Sequence, residues 1–314
     1  MTSDEIKGVI KHYCKCDVKS IQRMSGGISF EVNKIILLDG RKMILRYGRD
    51  YINTGNRKMI ISQIYEREKY FYDTVNAKVD IMCPRIQVID DKYPSIPDTF
   101  ELYEYIEGES LGEVIKNFSE QDIENVNRDI GRLVAAINNL QISEEHPFIK
   151  QRGSWNLYFA TRLKERLMAV LKNDIITEQE IEKIYTFAVK KNQNNMALSF
   201  LHLDVRYNNF LWDNKVSSIL DAENSEWGDP YFELARIDVY GLLDKAFLEG
   251  YQQISAWGKI DLECIEYKIY KMESVAFLLN VFLNEIDASE EEKETYRSAF
   301  LDLKAEILLC SKGE

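Results

Sequence analysis

Four residues between positions 202 and 221 have the types and spacing to do chemistry. His202, Asp204 and Asn209 lie in the run His202-Leu203-Asp204-Val205-Arg206-Tyr207-Asn208-Asn209, which opens an apolar segment from Phe210 to Trp212. Asp221 follows seventeen residues after Asp204, at the end of a second apolar segment, Ser218 to Leu220. Phosphoryl transfer to a hydroxyl needs such a set. One carboxylate orients the hydroxyl or accepts its proton, and hard oxygen ligands hold the Mg²⁺ that neutralises nucleotide phosphates. Asp204 suits the first role; Asn209 and Asp221 suit the second. A single Asp at a strand end is ordinarily a turn residue, but three polar residues at this joint spacing are better explained by a site.

The neighbours of these residues admit two readings each. His202 braces the loop by hydrogen bonding, or it takes part in acid–base work; the bracing reading is preferred. Arg206 touches phosphate or substrate, or it pairs with a nearby acid. Glu223 ligates or orients the metal, or it caps a turn. Trp155 and Trp227 form part of a core, the safer reading, or line a cationic substrate's pocket. Tyr65, Tyr70, Phe71 and Tyr72 are read as packing. Cys264 and Cys310 fall in helical patterns and are read as small core residues.

The elements that must position these residues divide into two patterns. Up to about residue 105 the chain reads as mixed α and β. A helix is expected from Thr2 to Cys14, with Thr2 and Glu5 at capping-box spacing. Strands are expected at Lys19–Met24, Phe30–Leu38 and Lys42–Tyr47, with Asp39-Gly40 as a hairpin turn. A helix over Arg57–Val75 and strands near Pro84–Ile89 and Phe100–Tyr105 complete this part. After Gly108 helical periodicity dominates. Ser119 with Asp122, Thr177 with Glu180 and Ser289 with Glu292 mark helix starts, and Trp155–Leu171 is a further helix. Short β pieces at Ser199–Leu203, Phe210–Asp213 and Val216–Leu220 carry the chemical residues.

At those residues the chain resembles the aminoglycoside phosphotransferase and choline kinase superfamily of kinase-like small-molecule phosphotransferases. The family motif is His-Gly-Asp, four residues, Asn; then a strand ending in Asp-x-Glu; then Gly-Asp-Pro. Here these are His202-Leu203-Asp204…Asn209, Asp221-Ala222-Glu223 and Gly228-Asp229-Pro230, followed by Tyr231-Phe232-Glu233-Leu234-Ala235. Met24-Ser25-Gly26-Gly27-Ile28-Ser29 is similar to the phosphate-covering loop, although Gly26 and Gly27 also suit a plain hairpin turn. Arg67-Glu68 is similar to the small-lobe helix pair, and Leu102 to Gly108 to the interlobe linker. The resemblance spans most of residues 20 to 240.

The resemblance implies an α+β, bilobal protein-kinase-like fold, with a β-rich nucleotide-binding lobe (1–105) and a mostly helical lobe (106–314). It implies ATP or GTP as donor and Mg²⁺ as cofactor. Gly26, Gly27 and Ser29 would cover the phosphates and Arg46 would contact them. Glu68 would pair with Arg46, or is merely a solvated helix charge. The backbone from Glu104 to Ile106 would hold the base. Three departures stand out. Leu203 replaces the usual Gly, so an altered turn is expected there. Arg46 stands where a strand lysine is common, and Arg is longer and planar. Glu233 replaces an Asp. The rival reading is a degenerate kinase-like scaffold that binds nucleotide without turnover. A protein kinase is disfavoured, because Asp-Phe-Gly and Ala-Pro-Glu motifs are missing and Asp221 lies only seven residues before Gly228.

Composition narrows the partners. Forty basic against fifty-two acidic residues give 40 − 52 = −12, with no basic block, which disfavours nucleic acid. Hydrophobic residues at 45% rule out global disorder. No segment is apolar enough for long enough to span a membrane. Five scattered cysteines fit reduced thiols in a cytoplasmic protein. Glu223, Glu226, Asp229 and Glu233 follow Asp221 with no Lys or Arg between Val216 and Glu233. A negative rim there would favour a cationic, amine-bearing acceptor: an aminoglycoside, an amino sugar or a choline-like metabolite.

Overall fold

The computed structural model describes residues 1–24, 30–48, 51–54, 57–94, 96, 98–191, 198–284 and 286–311. Helix α1 (Ser3–Cys14) starts at the Thr2 cap, where Thr2 Oγ1 accepts from the Glu5 N–H and the Glu5 carboxylate accepts from the Thr2 N–H. Strands β1 (Val18–Arg23), β2 (Glu31–Leu37), β3 (Lys42–Gly48), β6 (Ile86–Asp90) and β7 (Thr99–Glu104) form one antiparallel sheet, ordered β1-β2-β3-β7-β6. Ile6, Val9 and Ile10 lie on one face of α1 and pack on Met43, Leu45, Tyr47, Phe100 and Leu102. Because side chains alternate along a strand, Arg46 and Glu101 belong to the opposite face. They are direct cross-strand partners in the β3–β7 ladder. Helix α2 (Ile61–Lys78) contributes Ile61, Ile64 and Tyr65 to a cluster with Phe30.

Helix α2 starts four residues later than its periodicity predicts. Arg57–Ile60 is instead a strand, β5, paired with β4 (Tyr51–Thr54). Pairing with a neighbouring segment overrides the helical pattern there.

A three-stranded sheet joins β8 (Glu109–Ser110) to β11 (Phe210–Trp212) and β12 (Val216–Ile219). Met82 bonds across to Ser217 O and accepts from the Ile219 N–H. These pairings draw 106–116 and 207–224 into the first compact unit, made of Met1–Thr54, Lys58–Lys116 and Tyr207–Asn224. The division expected from sequence, at 105/106, is contiguous; the compact units are not.

The second unit comprises chiefly Asn117–Arg206 and Ser225–Glu314. Helices α3 (Leu111–Val114) and α4 (Glu120–Asn138) follow one another across the unit boundary in sequence. Within the second unit α4 crosses α9 (Lys245–Ile254) closely. The crossing needs glycines on both helices: a Cβ on Gly131 would meet the Phe247 carbonyl, and one on Gly250 the Arg128 carbonyl. Helix α10 (Ile265–Asn284) packs on α6 (Trp155–Leu171), α8 (Pro230–Val239) and α11 (Glu290–Cys310). Helices α5 (Pro147–Arg152) and α7 (Glu178–Lys191) complete the unit. A small sheet of β9 (Gln141–Ile142), β10 (Leu198–Leu201) and β13 (Glu226–Gly228) carries the segment before His202. No helix of the described residues is long and apolar enough to cross a membrane. All five cysteines are free; Cys83 is the buried one, whereas Cys310 is exposed and Cys264 half-buried, so neither is a core residue as expected.

Candidate active site

Asn209 and Asp221 leave the open end of one hairpin. Phe210 faces Ile219 in the β11–β12 ladder, so the residues just outside that pair come together. The Leu220 N–H donates to the Asn209 carbonyl at 2.8 Å, which ties the end of the 3-10 turn Tyr207–Asn209 to the residue before Asp221. Asp221 then turns in the left-handed region, φ 59°, and the next N–H, of Ala222, donates to the Tyr72 hydroxyl at 2.9 Å. Asp221, still 40% exposed and one residue past the backbone bond to Asn209, offers a carboxylate of the kind Mg²⁺ takes, since that ion binds one or two carboxylates and completes its octahedron with phosphate and water. Among the described residues no group of three or more His, Cys, Asp and Glu can hold a metal, so an all-protein cage does not fit. Glu223 is half-buried two residues on.

Arg46 lies on the same unit's sheet, surrounded by acids. Its Nη2 pairs with the Glu68 carboxylate, its Nε lies 2.7 Å from Glu101 Oε1, and its Nη1 lies 3.4 Å from Asp221 Oδ1. Glu68 is thus a buried partner and not a solvated helix charge. The guanidinium also stacks near Phe30 and Tyr65, at 4.8 and 5.1 Å from the ring centroids. Burial opposes the Arg46 charge, but Glu101 and Glu68 outweigh it and hold the pKa well above the ordinary value. Burial pushes the carboxyls of Glu68 and Glu101 upward, against the pull of Arg46. Tyr72, read from sequence as packing, is buried and also donates to Glu68 Oε1 at 2.8 Å. Glu101 escaped the sequence reading. Its signal is a charged residue flanked by Phe100 and Leu102 within the strand.

The 202–206 loop belongs to the second unit. Glu233, fully buried on α8, accepts from the N–H groups of His202 (2.5 Å) and Leu203 (2.8 Å). His202 Nδ1 accepts from the Asp204 N–H at 3.3 Å, a brace within the loop. Leu203 takes φ 60°, the left-handed conformation that a Gly adopts freely. Leu203 thus occupies a backbone region in which an L side chain is strained. Asp204 is buried, and Arg206 Nη2 donates to its Oδ2 at 2.6 Å. Arg206 itself is 47% exposed and lies 5.3 Å from the Tyr240 ring centroid.

The expected negative rim is largely consumed by internal bonds. Glu226 is buried and accepts from Arg152 Nη1 (3.1 Å) and the Tyr158 hydroxyl (2.5 Å). Asp229 caps α8 through the Tyr231 N–H and accepts from the Tyr270 hydroxyl; burial pushes its pKa up to about 6. Burial likewise raises Glu233 to about 7, against the two loop N–H groups. Trp227 is fully buried and stacks on Phe148, so it is a core residue, whereas Trp155 is half-buried and donates to the Tyr270 hydroxyl. The cation over Trp155 is Arg152.

Glu104 ends β7, exposed, and accepts from Gln87 Nε2 at 3.0 Å; Ile106 is half-buried beyond it. Gly26, Gly27 and Ser29 lie outside the described residues.

A profile of the phosphotransferase enzyme family matches residues 20–262. The chain belongs to this family, whose members are small-molecule kinases acting on hydroxyl groups. No curated protein sequence matches it significantly. Among solved structures it is similar to a putative aminoglycoside phosphotransferase from Ralstonia eutropha, at TM-score 0.67 and 13% identity over 99% of this chain and 98% of that one. It is also similar to APH(2″)-IIa in complex with streptomycin and ATP, at TM-score 0.64 and 16% identity over 98% of each chain. APH(2″)-IIIa with GDP and kanamycin matches at TM-score 0.64 and 11% identity over 97% and 99%. At these identities the likeness concerns the kinase-like α+β fold.

Proposed function

We propose that the protein transfers the γ-phosphoryl group of ATP or GTP, with Mg²⁺, to a hydroxyl of a small amine-bearing acceptor in the cytoplasm. The observation that carries this reading is the hairpin end that brings Asn209 and Asp221 together. Bound there, Mg²⁺ would neutralise phosphate charge. Asp204 would orient the acceptor hydroxyl and take its proton, with Arg206 holding one carboxylate oxygen and Glu233 holding the loop. The backbone from Glu104 to Ile106 would hold the base, and Gly26, Gly27 and Ser29 would cover the phosphates.

Support for an amine on the acceptor is reduced to the half-buried Glu223, the net charge of −12 and the aminoglycosides in the neighbouring structures. Glu226, Asp229 and Glu233 no longer contribute to it, because their carboxylates are engaged inside the protein.

A panel of aminoglycosides, amino sugars, choline-like amines, neutral sugars and hydroxy acids, each with ATP and GTP and with or without Mg²⁺, tests the reading by coupled nucleotide turnover. Acceptor-dependent turnover is expected with an amine-bearing compound only when Mg²⁺ is present. Thermal stabilisation by Mg-nucleotide without turnover on any acceptor would instead favour the degenerate scaffold. The observation behind that second reading is that Arg46 is already engaged by three carboxylates.

A further inference from the structure

We propose that Glu101 is a positioning residue of the nucleotide half-site, acting with Arg46 as a matched pair that does the work of a single strand cation. The inference rests on the phosphotransferase reading and concerns how Arg46 is aimed.

Glu101 is wholly buried between Phe100 and Leu102, and neither of its carboxylate oxygens makes a hydrogen bond. Arg46 Nε lies at ion-pair distance, 2.7 Å, but without the alignment of a hydrogen bond. Burying a carboxylate in this way is costly. An apolar residue at 101 would pack on the same face without that cost, since a buried ion pair is often no better for stability than its apolar replacement. The charge is therefore poorly explained as a fold element alone.

Its effect on Arg46 is specific. The guanidinium is planar and presents its donors in a fixed fork. Glu68, from α2, takes Nη2; Glu101, from the adjacent strand, takes the Nε side. With those two sides held, the remaining nitrogen, Nη1, is directed at Asp221, 3.4 Å away, where the metal and phosphates of the proposed reaction would sit. Phe30 and Tyr65 flank the guanidinium, so it has little room to swing. A lysine ammonium has one nitrogen and no fork. It could meet Glu68 but would leave Glu101 short of a counter-charge. Arg46 and Glu101 should therefore be exchangeable only together.

The test uses the full-length chain and four variants: Glu101→Gln, Glu101→Leu, Arg46→Lys and the double variant Arg46→Lys/Glu101→Leu. Each is assayed for melting temperature, for Kd of Mg-ATP and Mg-GTP, and for kcat and KM with the best acceptor. Arg46→Lys should lose at least tenfold in kcat/KM for nucleotide. The double variant should recover to within about threefold of the wild type, a coupling that independent sites do not show. Glu101→Gln, nearly isosteric, should raise nucleotide KM at least fivefold with a melting temperature close to wild type. It keeps the question answerable if Glu101→Leu folds poorly. Multiplicative losses in the double variant, or a Glu101→Gln protein with wild-type nucleotide KM and Kd, would overturn the positioning role and leave the phosphotransferase reading standing. A wild type that binds neither nucleotide would overturn both.

Discussion

Leu203 donates its backbone N–H to the Glu233 carboxylate at 2.8 Å while holding φ at 60°. The buried acid thus anchors a loop residue in a conformation that costs an L-amino acid roughly 1–2 kcal/mol. The Leu203 side chain is itself buried. Two opposing effects meet at this one position.

Leu203→Gly separates them. Glycine removes the left-handed strain, but it deletes a buried leucine, and large-to-small core changes typically cost ~2–5 kcal/mol. The variant should be less stable than the wild type, by up to about 4 kcal/mol as the difference of those ranges gives. Urea unfolding measures this directly. A gain in stability would show that strain outweighs packing in the loop.

Glu233→Gln should alter the pH dependence of stability. Burial raises the folded Glu233 pKa from 4.5 to about 7. The folded state then binds the proton more tightly than the unfolded state. The resulting stability is complete below the unfolded pKa and is lost as pH rises through about 7. Asp229, raised to about 6, acts in the same direction. Glu273 is buried too, but Arg162, Arg236 and Arg166 hold it at about 2, so its contribution is lost only as pH falls below the carboxylate range. Wild-type stability should therefore decline from pH 5 to 8, and the Glu233→Gln decline should be shallower by up to ~1.4 kcal/mol per pH unit. Parallel curves for the two proteins would contradict the assignment.

Asp204→Asn and Asp221→Ala should fail differently. The first removes a proton acceptor, so turnover should fall ~10²–10⁴-fold with nucleotide affinity nearly unchanged. The second removes a metal ligand, so Mg-nucleotide affinity and turnover should fall together. Isothermal titration across Mg²⁺ concentrations, paired with turnover, distinguishes them. Wild-type turnover in Asp204→Asn, or an unchanged Mg²⁺ requirement in Asp221→Ala, would remove the corresponding role.

Tyr72→Phe should loosen the Asp221 turn. The hydroxyl donates to Glu68 Oε1 and accepts from the Ala222 N–H, linking α2 to the residue after Asp221. Its loss leaves both groups without that partner, at about 1–3 kcal/mol. Melting temperature should fall and the Kd for Mg-nucleotide should rise. A drop in stability alone would confine Tyr72 to the fold.

Local chemistry was the legible part of the fold. The capping pairs Thr2–Glu5, Ser119–Asp122 and Ser289–Glu292 all form, because their bonds span only three residues. The two-residue strands Glu109–Ser110 and Gln141–Ile142 were not legible. They exist through partners far along the chain and leave no periodic trace. In the candidate site, the two short β pieces expected at Phe210–Asp213 and Val216–Leu220 do form, and they pair as a hairpin. The fate of the acids after Asp221 could not be anticipated. Donors on Arg152, Tyr158, Tyr270 and two backbone amides take up Glu226, Asp229 and Glu233, and none of these donors adjoins its acceptor in sequence. Glu101 was missed for a related reason, since its meaning depends on which residue the neighbouring strand sets opposite it.

The segment Tyr207–Asn224 belongs to the compact unit whose other parts precede Asn117. During synthesis, then, the first sheet and α2 leave the ribosome long before the hairpin that supplies Asn209 and Asp221. Arg46, Glu68 and Glu101 must wait for their third carboxylate, Asp221, until translation has passed through α3 to α7. A nascent chain stalled before Tyr207 would carry three strongly interacting buried charges and an unpartnered β8, with Met82 lacking its bridge to Ser218. The nucleotide half-site is therefore a late product of translation, although the residues that begin it are among the first to be made.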